Sequence, residues 1–340
     1  MNIISQVLHA DYAKFFRNIR ATAKAHHKNS VWMTFDVCLS TLLYGSALTD
    51  YFNYEFYNRT LKERRAYAVV GTQDRFYQLV NDPKYKKTFT VKPNFLREFA
   101  DYIGRDWLYP TAEKPEDRAA FDAFLDRHDA FMVKPIDGLG GGGIYKMKTA
   151  DVTDRDAFYA KILRERCFVE EVIRQSEVMA SLNPSCVNSI RVMTHNINDN
   201  PTIFFCAVRV GNGGSVVDNF HSGGMSAIVD SDTGVVCSDA IDKEMNWFAA
   251  HPATGTVFKG FQVPQWDRVK EMIHAACRMH PEMTVIGWDV SITDNGPILI
   301  EGNRRPGFDL VQMLEQKGLK HVLEDMETKF RAWKGLSSGK

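Results

Sequence analysis

The sequence predicts an α+β (α/β) fold, because helical and strand patterns occupy different stretches of the chain. Residues 1–66 have the apolar spacing of helices, whereas most segments from residue 131 onward alternate like β-strands until a helical pattern returns near residue 265. A chain of 340 residues, 44% hydrophobic and 25% charged, has the composition of a globular protein with two or three domains.

The N-terminal third is predicted to be helical. Phe15, Ile19 and Thr22 share one face of a basic first helix. The apolar window 31–48 has about the length of a membrane span, but it contains Asp36 and its flanks lack a charge asymmetry. We therefore interpret the window as a buried helix and expect no transmembrane span.

Charge and cysteine usage narrow the class of protein. Lys plus Arg and Asp plus Glu are both 42, so the net charge is zero and the simplest argument for a nucleic-acid partner is removed. The six cysteines form no CxxC pair, and Asp11 and Lys14 precede any apolar run long enough for a signal peptide. These features favour a cytoplasmic protein with reduced thiols.

Shorter patterns cover residues 66–130. AYAVVG is predicted to be a strand, FLREFADYIG a helix that ends at Gly104, and TAEKPEDRAAFDAFLDRHDA a helix with Pro115 in its first turn. Two strands, FMVKPID and IYKMK, then flank a glycine run.

The glycine run predicts a flap between two strands. Gly138, Gly140 and Gly143 formally satisfy G-x-G-x-x-G, but a dinucleotide fold needs a helix after that motif, and IYKMK alternates as a strand. Ile144 in place of Lys excludes a Walker A loop. Glycine backbone N–H groups can surround phosphate oxygens, and Lys134 on the incoming strand supplies a positive charge, which favours a phosphate site over a floppy surface hairpin.

Residues 285–303 predict a β-hairpin whose loop is the tripeptide Asp294-Asn295-Gly296. Counting outward from a three-residue loop gives the pairs Thr293–Pro297, Ser291–Leu299 and Asp289–Glu301. The buried face of this hairpin is predicted to consist of Val290, Ile292, Ile298 and Ile300.

The other face of the hairpin carries three oxygen-bearing side chains, those of Asp289, Glu301 and Asn303. Two carboxylates that face each other destabilise a sheet unless a cation lies between them. An all-oxygen set suits Mg²⁺ or Mn²⁺. The alternative is a hairpin with a solvated acidic face.

The ordered set of these motifs resembles the ATP-grasp superfamily, and in particular its sugar-transfer-associated branch. The resemblance is carried by VKPIDGLGGGGI, FVEEVI, NPSCVNSIRVMTH, VDNFHSGGMSAIVDSDTG and GWDVSITDNGPILIEGN, which lie within residues 85–310. It implies two α+β lobes that clasp ATP. The implied organisation is an N-terminal helical region (1–84), an N-lobe with the glycine-rich flap (85–170) and a C-lobe with the metal-binding hairpin (171–335).

The resemblance also implies roles for single residues. Lys92 and Lys134 would contact the nucleotide phosphates, although Lys84, Lys86 and Lys87 are alternatives to Lys92. Arg191 would neutralise the transferred phosphoryl group. The lid over the phosphates would comprise Gly138, Gly140, Gly141, Gly142 and Gly143. The hinge that reads the adenine edge would comprise Glu170, Glu171, Val172 and Ile173. Asp289, Glu301 and Asn303 would hold one or two Mg²⁺ ions.

Other assignments stay open. Glu177 is either a ribose ligand or a solvated helix acid. His221 is either a base, a substrate ligand or a residue with only structural hydrogen bonds. The candidate substrate residues are Asn219, His221, Ser222, Arg304 and Arg305, of which the two arginines suit a carboxylate or phosphate.

The resemblance implies an ATP-dependent ligase that activates a small-molecule carboxylate as an acylphosphate and joins it to an amine. The branch suggests a role in bacterial polysaccharide or glycoconjugate biosynthesis. Two alternatives remain: a kinase that phosphorylates a hydroxyl, and a non-catalytic nucleotide-binding or membrane-peripheral scaffold built on the N-terminal helices. No catalytic nucleophile is evident in the sequence, which agrees with a reaction driven by positioning and charge neutralisation.

Overall fold

The computed structural model describes residues 12–112, 114–137, 142–213, 220 and 223–337. Helices α1 to α8 comprise Tyr12–Ala25, Ser30–Tyr44, Leu48–Asn53, Leu61–Arg64, Val70–Val80, Lys86–Thr90, Lys92–Glu98 and Ala100–Ile103. Helices α9 to α14 comprise Pro115–Arg127, Arg155–Arg164, Glu177–Ala180, Trp266–Met279, Phe308–Glu315 and Lys320–Lys334. Strands β1 to β11 comprise Trp107–Leu108, Ala130–Pro135, Tyr145–Lys148, Cys167–Glu171, Ser189–Ile197, Asn200–Val210, Met225–Val229, Ala240–Ile241, Trp247–Phe248, Val285–Thr293 and Gly296–Asn303.

The chain divides into two compact units. The first contains the described residues up to Leu79 together with those from Gly307 onward, and the second runs from Val80 to Pro306. Residues after Gly307 are thus grouped with the N-terminal helices, whereas the sequence assigned them to the C-lobe. The predicted boundaries at residues 84 and 170 stay a prediction.

The first unit is helical and its two chain segments are joined through Gln312. The side-chain oxygen of Gln312 accepts hydrogen bonds from Ala68 N–H (2.7 Å) and Leu319 N–H (3.0 Å), and its amide donates to the Tyr54 hydroxyl (2.8 Å). The predicted strand at AYAVVG is wrong: the backbone of Ala68 bonds to the side chains of Gln312 and Gln73, and Val70 begins α5.

Helix α2 is apolar on two faces. One face is buried and includes Met33, Val37 and Asp36, whose carboxylate pairs with Arg64 at 2.7 and 2.8 Å. The opposite face is exposed and carries Val31, Trp32, Phe35, Leu42 and Leu43. The window expected to be a buried helix is therefore a helix that is buried on one side only. None of the helices that the structure describes is long and apolar enough to cross a membrane.

The second unit contains two antiparallel sheets. The smaller has the strand order β1-β4-β2-β3 and the larger the order β11-β10-β5-β6-β7-β8-β9. Strands β2 and β3 flank the glycine run as predicted, with Val133 opposite Tyr145. Strand β5 pairs with β6, and Asn198 and Asp199 turn the chain between them with positive φ angles of 57° and 54°.

One hydrophobic core supports the larger sheet. Helix α12 packs on β5, β6, β10 and β11 through its buried face. Phe89 of α6 and Phe99, the residue after α7, pack edge-on against the fully buried Trp288 of β10, and Phe95 of α7 packs against both phenylalanines. These aromatic rings lie directly behind the strands that carry the predicted metal site.

The β10–β11 hairpin has a different register near its loop from the predicted one. Thr293 lies opposite Gly296 and Ser291 opposite Ile298, so the pairs Thr293–Pro297 and Ser291–Leu299 are wrong by one residue. A β-bulge after Asp289 then restores the predicted pair of Asp289 with Glu301. Ile300 is the extra residue in β11, and it is half-buried at a cavity, in contrast to Val290, Ile292 and Ile298 in the core.

Candidate functional site

The second unit contains a cavity of about 740 Å³ with walls from both sheets. Met132 and Glu170 come from the smaller sheet, and Asp289, Arg209 and Ile300 come from the larger one. The cavity brings together these predicted site residues: Lys92, Lys134, Glu170, Val172, Ile173, Asp289, Glu301, Asn303, Arg304 and Arg305. Side chains from distant parts of the sequence thus meet in one place.

Asp289 lies on β10, the strand next to the edge strand β11 of the larger sheet. Strand β10 pairs with β5 on one side and β11 on the other, which places Asp289 opposite both Arg191 and Glu301. Arg191 Nε lies 2.5 Å from Asp289 Oδ1, and Arg209 Nη1 lies 2.9 Å from Oδ2. Burial raises the pKa of Asp289, but the two guanidinium groups outweigh burial and hold it below its ordinary value. Asp289 is therefore a carboxylate held ionised by two arginines.

Glu301 has the opposite electrostatic situation. Burial and the charge of Asp289 raise the pKa of Glu301 above its ordinary value, although Arg191 and Lys92 oppose the rise. The interaction between the side chains of Glu301 and Asp289 lowers the pKa of Asp289. Asn303 Nδ2 donates to Glu301 Oε1 over 3.2 Å. A cation bound between the two carboxyl groups would offset their mutual repulsion.

The donor chemistry at this pair fits a hard divalent cation. Asp289 and Glu301 offer carboxylate oxygens and Asn303 a carboxamide oxygen, all on cavity-lining residues. Among the described residues, no three His, Cys, Asp or Glu side chains form a group able to hold a metal ion. The set is thus two carboxylates and an amide, as in the prediction, and solvent or substrate oxygens are needed to complete a coordination shell.

Glu170 anchors the basic side of the cavity. Its buried side chain, 1% exposed, forms ion pairs with the Lys134 ammonium and with Arg105, whose Nε lies 3.1 Å from Glu170 Oε2. Burial raises the pKa of Glu170, but Arg105 and Lys134 outweigh burial and lower it. Lys134 is thereby held with its charge at the cavity wall. The side chain of Glu170 thus positions Lys134, a role that the hinge assignment did not include.

Lys92 lies at the start of α7, and its backbone N–H donates to Ile136 O over 2.9 Å, which ties it to the end of β2. Burial lowers the pKa of Lys92, while Glu301 raises it and Lys134 lowers it further. The two lysines are thus close enough to repel each other. An anion between them would relieve that repulsion.

Several predicted residues lie elsewhere. Glu177 is exposed in the first turn of α11 and is not part of the cavity lining, and Glu171 donates its backbone N–H to Asp106 O at 2.8 Å. Arg191 contacts Asp289 but is not among the cavity-lining residues. Gly142 and Gly143 are exposed beyond β2. The predictions for Gly138, Gly140, Gly141, Asn219, His221 and Ser222 fall outside the described residues.

Two arginines of the site were missed from the sequence. Arg209 is 8% exposed although it carries a charge, and Arg105 has a side chain only 2% exposed. Arg209 left a signal, because a charged residue between valines in the strand CAVRVG needs a buried partner. Arg105 follows the C-cap Gly104, where an arginine is unremarkable, and nothing in its sequence context marks it.

The side chain of Asn81 holds the backbone of the loop after β11. Asn81 Nδ2 donates to Arg304 O (2.7 Å) and Val285 O (2.8 Å), and Asn81 Oδ1 accepts from Val285 N–H (2.8 Å). Asn81 thereby locks the backbone of the segment that presents Arg304 and Arg305 at the cavity wall.

Comparison with known proteins places the chain in the ATP-grasp class. The particular family is the one described as sugar-transfer associated ATP-grasp: its profile matches residues 57–328, most of the 340-residue chain, so the chain belongs to this family. The resemblance found in the sequence motifs is confirmed, and so is the α+β ATP-grasp fold class.

Solved structures with a similar fold include three ligases or synthetases. The ATP-grasp ligase PsnB, complexed with minimal precursor, Mg and ADP, aligns at 12% identity and a TM-score of 0.46 over 83% of this chain and 73% of its own. D-alanyl-alanine synthetase A from Vibrio cholerae aligns at 13% identity and 0.45 over 74% and 67%. D-cycloserine synthetase DcsG aligns at 10% identity and 0.44 over 84% and 82%. Among curated proteins, none matches the sequence significantly.

Proposed function

We propose that the protein is an ATP-dependent ligase that joins a carboxylate to an amine and releases ADP and phosphate. A carboxylate oxygen attacks the γ-phosphorus of ATP, and the bond to the β–γ bridging oxygen breaks, which gives an acylphosphate and ADP. The amine nitrogen then attacks the acyl carbon, loses a proton and displaces phosphate. We propose ATP and Mg²⁺ (or Mn²⁺) as the cofactors and the cytoplasm as the location.

The observation that supports this proposal is the charge arrangement of the 740 Å³ cavity. Lys92 and Lys134 lie at its wall as a cationic pair, and Asp289 with Glu301 form an acidic pair. Polyphosphate with a bound divalent cation is complementary to both pairs at once. Both reacting groups of the proposed reaction come from substrates, so it needs no nucleophile from the protein.

Each residue has a proposed role in positioning. Lys134, oriented by Glu170, and Lys92 bind the phosphates. Asp289, Glu301 and Asn303 would hold Mg²⁺, which when bound neutralises the phosphate oxygens. Arg191 remains proposed for the charge on the transferred phosphoryl group, and we add that Arg191 and Arg209 keep Asp289 ionised. Backbone groups of Glu170 to Ile173 would read the adenine edge, Glu177 the ribose, and the glycines from Gly138 to Gly143 would exclude water as a lid.

The residues that contact the acceptor substrate are proposed from the chemistry of their side chains. Arg304 and Arg305 suit a carboxylate or phosphate of the acceptor, and Asn219, His221 and Ser222 suit its polar groups. A sugar acid and an amino acid are the substrate classes that we propose, in polysaccharide or glycoconjugate biosynthesis.

The test incubates the full chain with ATP, Mg²⁺ and pooled sugar acids, amino acids and hydroxy compounds, and measures ADP and phosphate separately. We expect ADP and phosphate to appear in equal amounts, together with a new amide. Asp289→Asn and Asn303→Ala should lower the rate by roughly 100-fold or more, because the first removes a negative charge from the metal-binding set and the second removes its amide oxygen. The exposed Asp267→Asn, remote from the cavity lining, is the matched control.

Two outcomes would contradict the ligase proposal. ADP without phosphate, together with a stable phosphorylated product, would identify a kinase. Intact cellular function in a folded Asp289→Asn variant would favour a non-catalytic scaffold. Circular dichroism of each variant separates a lost ligand from a lost fold.

A further inference from the structure

The outer side of α2 is an exposed apolar surface, which we name the α2 apolar face. It comprises Val31, Trp32, Phe35, Leu42 and Leu43. Val31, Phe35 and Leu42 are 76%, 67% and 82% exposed, so the described residues leave most of each side chain uncovered. At 100° per residue the five members span an arc of about 120°, which is the width of a helix face that normally packs against a partner.

The face is fixed in place because the opposite side of α2 is locked into the first unit. Asp36 is the one charged residue of the helix, and it is buried against Arg64 and the Tyr51 hydroxyl, which donates to it over 2.7 Å. Asn29 caps the first turn by accepting from Val31 and Trp32 N–H, and Gly45 ends the helix with a φ of 70°. The exposed face therefore carries no charge and cannot rotate inward.

Positive charge lies beside this face. Residues 12–35 contain no Asp or Glu, and α1 with the following turn carries five basic residues: Lys14, Arg17, Arg20, Lys24 and Lys28. Of these, Arg17, Arg20, Lys24 and Lys28 are exposed. Helix α1 packs against α2, so the basic helix is the direct neighbour of the helix that carries the apolar face, and the apolar Phe16 of α1 is itself 43% exposed.

The charge pattern decides which occupant fits. In a two-fold dimer the same patch meets itself, so the basic residues of α1 would face their own copies and repel. An anionic lipid surface instead offers phosphate groups to the cations and acyl chains to the apolar side chains. Trp32 and Phe35 are of the aromatic type enriched at the headgroup level of membranes.

We propose that α1 and α2 dock the protein on the surface of an anionic membrane, with the α2 apolar face lying in the headgroup region. The buried Asp36–Arg64 pair keeps α2 attached to its unit, so the contact is peripheral. The docking is independent of the proposed ligase activity, and it is measured without ATP.

The test is flotation of the full chain with vesicles of three parts phosphatidylcholine to one part phosphatidylglycerol, and with phosphatidylcholine alone. We expect binding to the anionic vesicles that weakens at high salt. Arg17→Gln with Arg20→Gln should weaken binding by roughly twentyfold, since each basic residue near an anionic leaflet contributes about fivefold. Phe35→Gln with Leu42→Gln should weaken it by at least roughly tenfold, because both side chains lose their transfer into the bilayer.

Val178→Gln with Val257→Gln is the matched control. Both valines are about as exposed as the α2 residues, at 49% and 57%, but belong to the second unit, so binding should be unchanged. Because Phe35 and Leu42 are exposed, their substitution should leave the thermal unfolding midpoint unchanged, which separates lost docking from lost fold.

The proposal is overturned if the wild type does not float with anionic vesicles. It is equally overturned if the Phe35→Gln, Leu42→Gln double variant binds these vesicles as strongly as the wild type does. A third contrary outcome is a wild type that sediments as a dimer and does not bind vesicles, together with a double variant that sediments as a monomer. The α2 apolar face would then be covered by a second copy of the chain. Loss of ligase activity with retained flotation would count against the proposed function alone.

Discussion

At the scale of single residues, Asp50 shows how burial changes a carboxyl group outside the candidate site. Its side chain is 2% exposed, and Oδ2 accepts hydrogen bonds from Ala47 N–H (2.8 Å) and Val70 N–H (2.9 Å). Burial raises the pKa of Asp50 to about 6; the two backbone donors oppose the rise and the charge of Asp309 adds to it. Asp50 thus carries an energetic cost whenever it is ionised.

The pKa of Asp50 predicts a loss of stability with rising pH. A raised folded-state pKa means that the folded chain binds more protons than the unfolded chain between pH 3.8, the ordinary value, and about 6. The contribution of Asp50 to the free energy of unfolding should therefore fall across this range by roughly 3 kcal/mol. Asp50→Asn keeps an oxygen for both backbone donors and removes the titration, so it should be more stable than the wild type at pH 7.

The measurement is urea denaturation at several pH values from 4 to 7. The exposed Asp129→Asn is the control, and it should reproduce the wild-type slope. A wild-type profile whose dependence on pH is unchanged by Asp50→Asn would show that Asp50 does not titrate in this range.

At the scale of elements, the β10–β11 hairpin shows what the sequence could and could not reveal. The sequence predicted the pair of Asp289 with Glu301, because counting outward in steps of two from an assumed three-residue loop leads to that pair. The loop length and the bulge at Ile300 were not predictable, since two compensating one-residue shifts leave the same final pair. The predicted pair of Asp289 with Glu301 is therefore present, although the predicted register near the loop is wrong.

Helix α2 shows a different limit. Its apolar residues lie on two opposite sides, and the pattern alone cannot tell which side the protein covers. The buried side contains Asp36, which pairs with Arg64, 28 residues further along the chain. Predicting the exposed face needed the tertiary structure.

Gly302 makes the metal-site strand sensitive to a single methyl group. A Cβ at Gly302 would lie 2.8 Å from Phe95 Cε2 and 3.0 Å from Phe89 Cδ1, between the candidate ligands Glu301 and Asn303. Gly302→Ala should lower the free energy of unfolding by about 1–3 kcal/mol, because the rings behind β11 must move. Urea denaturation of the purified variant measures this cost.

A second substitution tests the cause of that cost. Phe95→Leu removes the ring atom nearest to the added methyl group, so Gly302→Ala should cost less in the Phe95→Leu background than in the wild type. Equal costs in the two backgrounds would show that the effect of Gly302→Ala does not come from a clash with Phe95.

At the scale of the whole molecule, the two sheets of the second unit are joined by residues that lie far apart in the sequence. Arg105 bonds to Glu170 of β4 through Nε and to the backbone oxygens of Leu299 (2.8 Å) and Ile300 (3.4 Å) of β11 through its other nitrogens. Motifs in the sequence predicted ten of the residues that line the cavity, because each motif is local. They missed Arg105, because its partners lie 65 and 194 residues away.

Arg105 therefore provides a test of how the two sheets are held together. Arg105→Met leaves the buried Glu170 with Lys134 as its remaining ion-pair partner and should lower the free energy of unfolding by about 3–5 kcal/mol. Arg105→Met with Glu170→Met should be less destabilised than Arg105→Met alone, because no buried carboxylate is then left short of a partner. Lys329→Met, which breaks an exposed pair with Asp325, should cost less than about 1 kcal/mol. Urea denaturation of the wild type and these three variants measures each free energy of unfolding. If Arg105→Met costs no more than Lys329→Met, the two sheets are held together without this arginine.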